Sequence, residues 1–186
     1  CNPAIGGIGK GQMVRELDAL GAEMGHATDA TGIQFRLLNT RKGPAVRSPR
    51  AQCDKHRYSQ YMSTLANSLE GLSIVEGEGA ALLLDLGSSA SSRVAGLRLA
   101  DGSELRGHSV ILTAGTFLRG LMHCGGKQDK GGRVGEGASY GLSDFLEELG
   151  FKRGRLKTGT PARVDVATVD FSSTTPQPGD EVPSFF

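Results

Sequence analysis

Glycine is the residue that most constrains how this chain can fold. The sequence contains 28 glycines in 186 residues, with no collagen-like period and no Gly/Ser linker signature. Because glycine lacks a Cβ and tolerates positive φ, this composition indicates many places where the backbone passes close to another segment or to a ligand. Nucleotide-binding folds are often built in this way, although glycine content alone does not identify them.

Composition and charge define the broad class of the protein. A hydrophobic content of 38% in a chain of this length is enough for a packed core. The 21 Lys and Arg residues nearly balance the 20 Asp and Glu residues, so net charge neither requires nor excludes a nucleic-acid partner. No apolar run approaches the ~20 residues of a membrane span, and no signal peptide opens the chain. We therefore expect a cytoplasmic protein with no membrane partner.

The three cysteines, Cys1, Cys53 and Cys124, are widely spaced and form no CxxC pair. This pattern predicts a reducing compartment and no structural metal. Cys1 lies beside a glycine-rich loop just ahead of a predicted helix N-terminus, a position that lowers a thiol pKa. A buried, inert cysteine is the alternative interpretation of Cys1. Cys53 and Cys124 have no such setting and are interpreted as structural.

Apolar spacing predicts two helices and a strand in the first 70 residues. Met13, Leu17, Leu20 and Met24 follow a glycine-rich loop at 1–11 and place one apolar stripe on a helix. Pro and Gly residues exclude regular structure from the segment that precedes the second helix. The remaining predicted elements are a strand at 33–39, a loop at 40–50 and a helix at 51–69.

The middle of the chain has the pattern of a β-meander. Short β-type runs occur at 72–77, 81–86 and 93–99, and a tight turn at 101–102 leads into a buried strand within 103–115. A helix with Leu142 and Phe145 on its apolar face follows, closed by Gly150. The order predicts an α/β fold like the nucleotide-binding half of glutathione-reductase-type flavoproteins, which is Rossmann-like with a meander.

The run GGIGKG at 6–11 satisfies neither of two common nucleotide-binding motifs. A P-loop would need Gly at position 4 and Ser or Thr at position 11, and the dinucleotide fingerprint would need Gly at position 12. Its glycines still allow close backbone approach to a flat ligand at a helix N-terminus. We therefore consider it as a cofactor-binding segment, with a plain structural turn as an equal alternative. The candidate residues are Gly6, Gly7, Gly9 and Lys10.

Basic residues are densest in the predicted loop at 40–50, where Arg41, Lys42, Arg47 and Arg50 follow Arg36. Guanidinium and ammonium groups in an irregular segment can hold phosphate oxygens of a cofactor or of a nucleic acid. A solvated surface loop explains the composition nearly as well. These four residues are our candidates for nucleic-acid contact.

A small-residue turn ends the predicted buried strand at VILTAGTFLRG, residues 110–120. Small side chains at such a strand end let an extended dinucleotide lie against the backbone. Gly115 and Thr116 are therefore candidate cofactor contacts.

Three blocks carry a resemblance to a known family: CNPAIGGIGKG (1–11), GIQFRLLNTRKGPAVRSPRAQ (32–52) and GRLKTGTPARVD (154–165). In order and wording they resemble the MnmG family, also called GidA, and ILTAGTFLRG and GGRVGEGAS lie between them as expected. The resemblance covers essentially the whole chain. It implies an internal fragment of an FAD-binding domain, truncated at both ends, with the glycine-rich fingerprint of the family lying before Cys1.

The resemblance also implies an activity. Members of this family are FAD-dependent homodimers that act with a partner GTPase, MnmE-like, as a heterotetramer. They add a carboxymethylaminomethyl or aminomethyl group to C5 of the wobble uridine of tRNA, and NADH and methylenetetrahydrofolate are co-substrates. The expected function is therefore FAD-dependent tRNA modification, by a fragment that we expect to be inactive alone.

Residue roles implied by the resemblance are few. Cys1 matches a thiol proposed to take part in the reaction, since uracil C5 becomes nucleophilic through transient addition at C6. Two further matches are FAD contacts, at the backbone of Gly79 and at Ser139. The implied division is an FAD-binding part at 1–150 and the start of a substrate or NAD-side region at 151–186.

Two other classes of protein remain as alternatives. One is another flavoprotein, such as the related folate-dependent tRNA methyltransferase of the T-loop or a disulfide reductase. The CNPAIGGIGKG block argues against the first, and the missing CxxC pair argues against the second. The other is a non-catalytic RNA-binding module built on the basic loop, which would bind tRNA without flavin.

Overall fold

The computed structural model describes residues 3–86, 92–159 and 161–186. The chain divides into two compact units, one made of Cys1–Ile74 with Thr158–Phe186 and the other of Val75–Lys157. We call them the outer unit and the middle unit by their places in the sequence. The described residues form a mixed α/β fold, as predicted, and none of their helices is long and apolar enough to cross a membrane.

The outer unit contains a three-stranded antiparallel sheet. Its strands are β1 (Ala4–Gly6), β2 (Gly32–Leu38) and β3 (Ser48–Cys53), in the order β1-β3-β2. The predicted strand at 33–39 is confirmed as β2. Two other predictions were wrong, because the glycine-rich segment at 1–11 contains β1 and the segment predicted as irregular at 40–50 contains the start of β3.

Pro49 explains why the central strand β3 was missed. Its carbonyl oxygen accepts a hydrogen bond from the Gly7 N–H (N to O 2.9 Å), so its nitrogen faces the same side, toward β1. The strand β1 ends at Gly6, which pairs with Arg50. The missing N–H of Pro49 therefore costs no ladder bond to β2, and the proline is tolerated inside the sheet.

The predicted first helix is two helices, α1 (Lys10–Ala19) and α2 (Met24–Thr31). Gly21, at φ +86°, separates them. The predicted apolar stripe is not the buried face: Met13 is 60% exposed and Leu20 is 85% exposed. The buried residues of α1 are Gly11 and Val14 instead. Helical spacing thus identified a helix and selected the wrong face of it.

The helix α3 (Lys55–Ser68) begins four residues later than predicted from Ala51. Asp54 caps it, since a side-chain oxygen of Asp54 accepts hydrogen bonds from the His56 and Arg57 N–H groups (2.9 and 3.0 Å). The Arg57 bond is the largest cause of a lowered pKa of Asp54. Residues 51–53 are therefore free to continue β3.

Residues 177–186 return to the open side of β2 within the outer unit. Asp180 donates its N–H to the Phe35 carbonyl (2.9 Å) and accepts the Leu37 N–H on its carboxylate (2.7 Å). The rings of Phe35 and Phe185 meet edge to face with centroids 4.9 Å apart. This segment therefore covers a sheet edge.

The middle unit is built on the antiparallel meander of β4 (Gly79–Leu86), β5 (Ser92–Leu99) and β6 (Glu104–Arg106). The meander was predicted and is confirmed, but two of its predicted strands are wrong. Residues 72–77 form no strand, and residues 107–115 are not the predicted buried strand, with Ile111 86% exposed. An apolar run becomes a buried strand only where a neighbour pairs with it, and the described residues offer none here.

A hairpin and a helix complete the middle unit. The hairpin strands β7 (Leu121–Cys124) and β8 (Lys127–Lys130) are not among the predicted elements, and Gly125 turns between them at φ +58°. The helix α4 (Gly141–Glu148) is confirmed, and Gly150 follows it at φ +87°. Leu142 of α4 is buried together with Leu83 and Leu99 of the meander.

Residues 151–176 form no strand among their described positions. Two short 3₁₀ turns, Val166–Thr168 and Phe171–Ser173, are the regular pieces there, each capped by an aspartate. Most of their side chains are exposed.

Candidate cofactor-binding site

The glycine turn that precedes α1 contains three left-handed positions. Gly6, Gly7 and Gly9 have φ of +81°, +102° and +75°, and α1 begins at Lys10. A Cβ at Gly6 would lie 2.3 Å from the Pro49 carbonyl oxygen and 2.7 Å from the Phe186 ring. The chain itself therefore fills the space beside Gly6, as a structural turn requires.

Gly9 and Lys10 have different surroundings from Gly6. A Cβ at Gly9 would meet no heavy atom within 4 Å, and Lys10 is exposed. These two positions leave room at the N-terminus of α1. Their role in binding a cofactor stays a prediction.

Cys1 lies outside the described residues, so its role in the reaction stays a prediction. Cys53 is 2% exposed, and burial is the largest cause of its raised pKa, with hydrogen bonds to Thr31 and Thr28 opposing the rise. Cys53 is thus an inert thiol, as interpreted from the sequence. Cys124 is exposed at the end of β7 and does not contribute to a core.

The predicted basic loop forms an exposed rim on the outer unit. Arg41, Lys42 and Arg47 flank the 3₁₀ turn Pro44–Val46, and Arg50 lies on β3. All four are exposed, and within the described residues none has a carboxylate within ion-pair distance. Arg36 differs, because its guanidinium donates to the Gln177 side-chain oxygen (2.6 Å).

Two segments of the middle unit meet: the small-residue turn at Gly115, and the loop GGRVGEGAS at 131–139, which we call the Ser139 loop. The Ser139 N–H donates to the Phe117 carbonyl (3.0 Å), and the Arg119 N–H donates to the Ser139 carbonyl (2.8 Å). Thr116 ties the same turn to a third segment, since its hydroxyl donates to the Gly132 carbonyl (3.1 Å). Gly115 itself has φ +61°, which favours glycine.

A surface cavity of about 520 Å³ lies where these segments meet the start of β4. It brings together the predicted contacts Gly79 and Ser139, which are 60 positions apart in the sequence. Gly115 and Thr116 are neighbours of its lining residue Ala114. Its walls are made mostly of glycine, alanine and apolar side chains: Gly77, Glu78, Gly79, Ala114, Phe117, Leu118, Gly137, Ala138, Ser139 and Leu142.

The lining of this cavity fits part of an extended nucleotide. Its volume lies in the range of small-molecule pockets, and a Cβ at Gly137 would meet no atom within 4 Å, so the backbone is open to close approach. Glu78 is the ionisable residue among those that line it. A carboxylate accepts hydrogen bonds from hydroxyl and amino groups and repels phosphate. The cavity therefore suits a sugar and base better than a pyrophosphate.

Arg119 sits behind the cavity in a strained conformation. Its φ is +45°, in the left-handed region that costs an L-residue roughly 1 to 2 kcal/mol. Both Nε (2.8 Å) and a terminal nitrogen of its guanidinium donate to one oxygen of Asp144, and its charge lies 5.5 Å from the centre of the Tyr140 ring. Arg119 was not among the residues selected from the sequence. No pattern in the sequence pairs it with Asp144.

Several lining residues were also missed by the sequence reasoning. Glu78 and Phe117 each lie within two positions of a predicted contact. Extending each predicted glycine turn by two residues would have found them.

A second cavity, also of about 520 Å³, lies in the outer unit between α2 and α3. It is lined by hydroxyl, amide and guanidinium side chains such as Arg57, Gln60 and Tyr61, and it contains none of the predicted site residues. It is therefore a poorer candidate for a flavin nucleotide.

Comparison with known proteins gives one consistent result. A family model described as Glucose inhibited division protein A matches residues 1–186. The chain is 54% identical over 183 residues to the tRNA uridine 5-carboxymethylaminomethyl modification enzyme MnmG of Geobacter sulfurreducens, covering 98% of this chain and 28% of that protein. It is 50% identical over 186 residues to the MnmG of Aquifex aeolicus, covering 100% and 29%.

A solved structure shows the same likeness. The crystal structure of Aquifex aeolicus GidA in its form I crystal superposes with a TM-score of 0.87 at 50% identity. The match covers 100% of this chain and 30% of that one. The chain thus spans less than a third of the length of the relatives it matches.

Proposed function

The chain belongs to the Glucose inhibited division protein A family, and on that premise we propose that it is part of an FAD-dependent enzyme that modifies the wobble uridine of tRNA. The proposed product is a carboxymethylaminomethyl or aminomethyl group at C5 of that uridine. The observation that carries the proposal is the cavity that brings Gly79 and Ser139 together.

The middle unit would hold one end of the flavin dinucleotide. Gly137 lets the backbone come close to the ligand, Gly79 lines the same cavity, and Phe117 and Leu142 supply apolar contact. Glu78 would accept hydrogen bonds from sugar or base groups. Bound FAD would supply reversible two-electron transfer, for which NADH is the proposed reductant and methylenetetrahydrofolate the proposed one-carbon donor.

The outer unit would serve the nucleic acid and the reacting base. The exposed cations Arg41, Lys42, Arg47 and Arg50 are suited to phosphate oxygens of tRNA. Cys1 is proposed as the thiol that acts on the uracil ring. The proposed cofactor contacts in this unit are Gly6, Gly7, Gly9 and Lys10. Gly6 also has a structural role in the turn, because the Pro49 carbonyl packs against it.

The rest of the proposal concerns assembly. We propose a cytoplasmic homodimer that forms a heterotetramer with a partner GTPase. The functional boundary near residue 150, between an FAD-binding part and a substrate or NAD-side region, belongs to the same proposal.

The test uses the full-length protein that carries this segment. We expect the purified protein to show flavin absorption, and we expect Cys1→Ala to abolish wobble-uridine modification while flavin content stays unchanged. The matched control is Cys124→Ala, because Cys124 is exposed and lies outside the cavity. Binding of tRNA by a colourless protein would reject the proposal and favour the RNA-binding module.

A further inference from the structure

We infer that Arg119 and Asp144 form a clamp that positions the Ser139 loop for its ligand. The inference rests on the proposed function, because the ligand of that loop is the flavin nucleotide. It assigns a positioning role to two residues that do not line the cavity.

Arg119 contacts the end of the Ser139 loop through its backbone and the start of α4 through its side chain. Its backbone N–H donates to the Ser139 carbonyl (2.8 Å). Its guanidinium passes the Tyr140 ring at 5.5 Å and reaches Asp144 in the first turn of α4. Three contacts from one residue therefore span residues 139 to 144.

The backbone conformation of Arg119 indicates that this grip is specific. At φ +45° an arginine is disfavoured, and such a conformation persists where surrounding contacts over-determine it. The Arg155 guanidinium adds a further contact, donating to the Arg119 carbonyl (3.3 Å). Gly120 follows immediately, and the Thr116 carbonyl packs so close to it that a Cβ there would lie 2.5 Å from the Thr116 oxygen.

The ion pair itself is too exposed to act mainly through global stability. The side chains of Arg119 and Asp144 are 36% and 44% exposed, and exposed ion pairs contribute little to unfolding free energy. Its consequence is local: without the guanidinium contact, the backbone bonds of Ser139 to Phe117 and Arg119 lose the side-chain link to α4 that supports them. When the residues that hold a binding loop are weakened, the loop moves away from its binding position although the protein stays folded.

The experiment measures FAD affinity and amide hydrogen exchange in the full-length protein. Asp144→Asn and Arg119→Met should each weaken FAD binding about tenfold, the effect of losing one charged hydrogen bond. Exchange of the amides at 119 and 139 should accelerate while the α4 amides at 145–148 stay protected. The control Asp129→Asn removes an exposed ion pair on β8 and should change neither quantity.

A conservative variant distinguishes a clamp from general damage. Arg119→Lys keeps a cation at position 119 that can donate to Asp144, whereas Arg119→Met removes it. Asp144 also lies 3.8 Å from the Arg153 guanidinium, so Arg153→Met is the control for loss of that second pair. We expect Arg119→Lys to keep most of the affinity that Arg119→Met loses, and Arg153→Met to keep the wild-type affinity. Equal losses in Arg119→Lys and Arg119→Met, or Arg119→Met and Asp144→Asn with unchanged affinity and unchanged exchange, would overturn the inference.

A protein that takes up no flavin even as wild type would reject the proposed function instead. The clamp would then be judged by exchange alone. Faster exchange at 119 and 139 in both single variants would support it, and unchanged exchange would overturn it.

Discussion

Two glycine positions, Gly6 of the outer unit and Gly137 of the middle unit, have different surroundings. In the outer unit, a Cβ at Gly6 or Gly11 would lie within 2.5 Å of the Pro49 carbonyl oxygen. In the middle unit, a Cβ at Gly137 would meet nothing within 4 Å, and Gly137 lines a cavity. The difference teaches that a glycine run indicates a ligand only where the space beside the backbone is open.

The largest effect that we expect comes from filling a closed glycine position. Gly6→Ala adds a methyl group against a backbone carbonyl and forces a left-handed alanine, at a combined cost of about 3 kcal/mol of unfolding free energy. Urea denaturation of the full-length protein, followed by exchange of the β1 and β3 amides, measures it. Gly9→Ala shares the positive φ but meets no atom, so it should cost only about 1 kcal/mol. Equal losses of unfolding free energy in Gly6→Ala and Gly9→Ala would contradict the difference between closed and open glycine positions.

Filling an open glycine position should affect binding and leave stability unchanged. Gly137→Leu places a side chain in the cavity, so FAD affinity should fall about tenfold or more while unfolding free energy stays within about 0.5 kcal/mol. Fluorescence titration with FAD measures the affinity. Gly154→Leu is the matched control, because Gly154 is open but lies outside the cavity. Wild-type FAD affinity in Gly137→Leu would show that this cavity does not bind FAD.

Replacing cations of the basic loop should give a smaller effect. Lys42→Gln and Arg47→Gln should each weaken tRNA binding severalfold and reduce the slope of log affinity against log salt by about 0.7 to 0.9. Lys55→Gln, on α3, provides an exposed cation outside the loop as control. A salt slope that is the same in all three variants would contradict a phosphate contact at the loop.

The smallest effect concerns the buried thiol of the outer unit. Burial raises the pKa of Cys53, so above the ordinary thiol pKa of about 8.5 the unfolded chain loses a proton that the folded chain keeps. Stability should therefore fall as pH rises through this range. Unfolding measured from pH 7 to pH 10 should show this fall in the wild type and less of it in Cys53→Ala. Identical pH profiles would show that the thiol is not held in its neutral form.

Local signals in the sequence predicted those elements that local chemistry determines. The strand β2, the existence of the helix α3, the meander and the stop of α4 at Gly150 all follow from spacing and turn residues. The errors lie where a distant partner decides the outcome. Pro49 is tolerated in β3 because β1 ends at Gly6, and the run at 110–113 stays exposed because no described strand pairs with it.

The same distinction applies to the site. Gly79 and Ser139 were selected through the family resemblance, and Gly115 and Thr116 through a small-residue strand end, and the structure brings these segments to one cavity. Arg119 and Asp144 were missed, because an ion pair between a turn and a helix 25 positions later leaves no periodic trace in the sequence. Space beside a glycine, likewise, is set by tertiary packing.

Hydrogen exchange of the full-length protein with and without FAD tests the central claim most directly, which is that the middle-unit cavity holds part of the flavin dinucleotide. The account predicts that FAD slows exchange of the amides at 77–79 and 137–139, while the exposed control segment around Gly154 does not change. Uptake of FAD with no protection at either lining segment would contradict it.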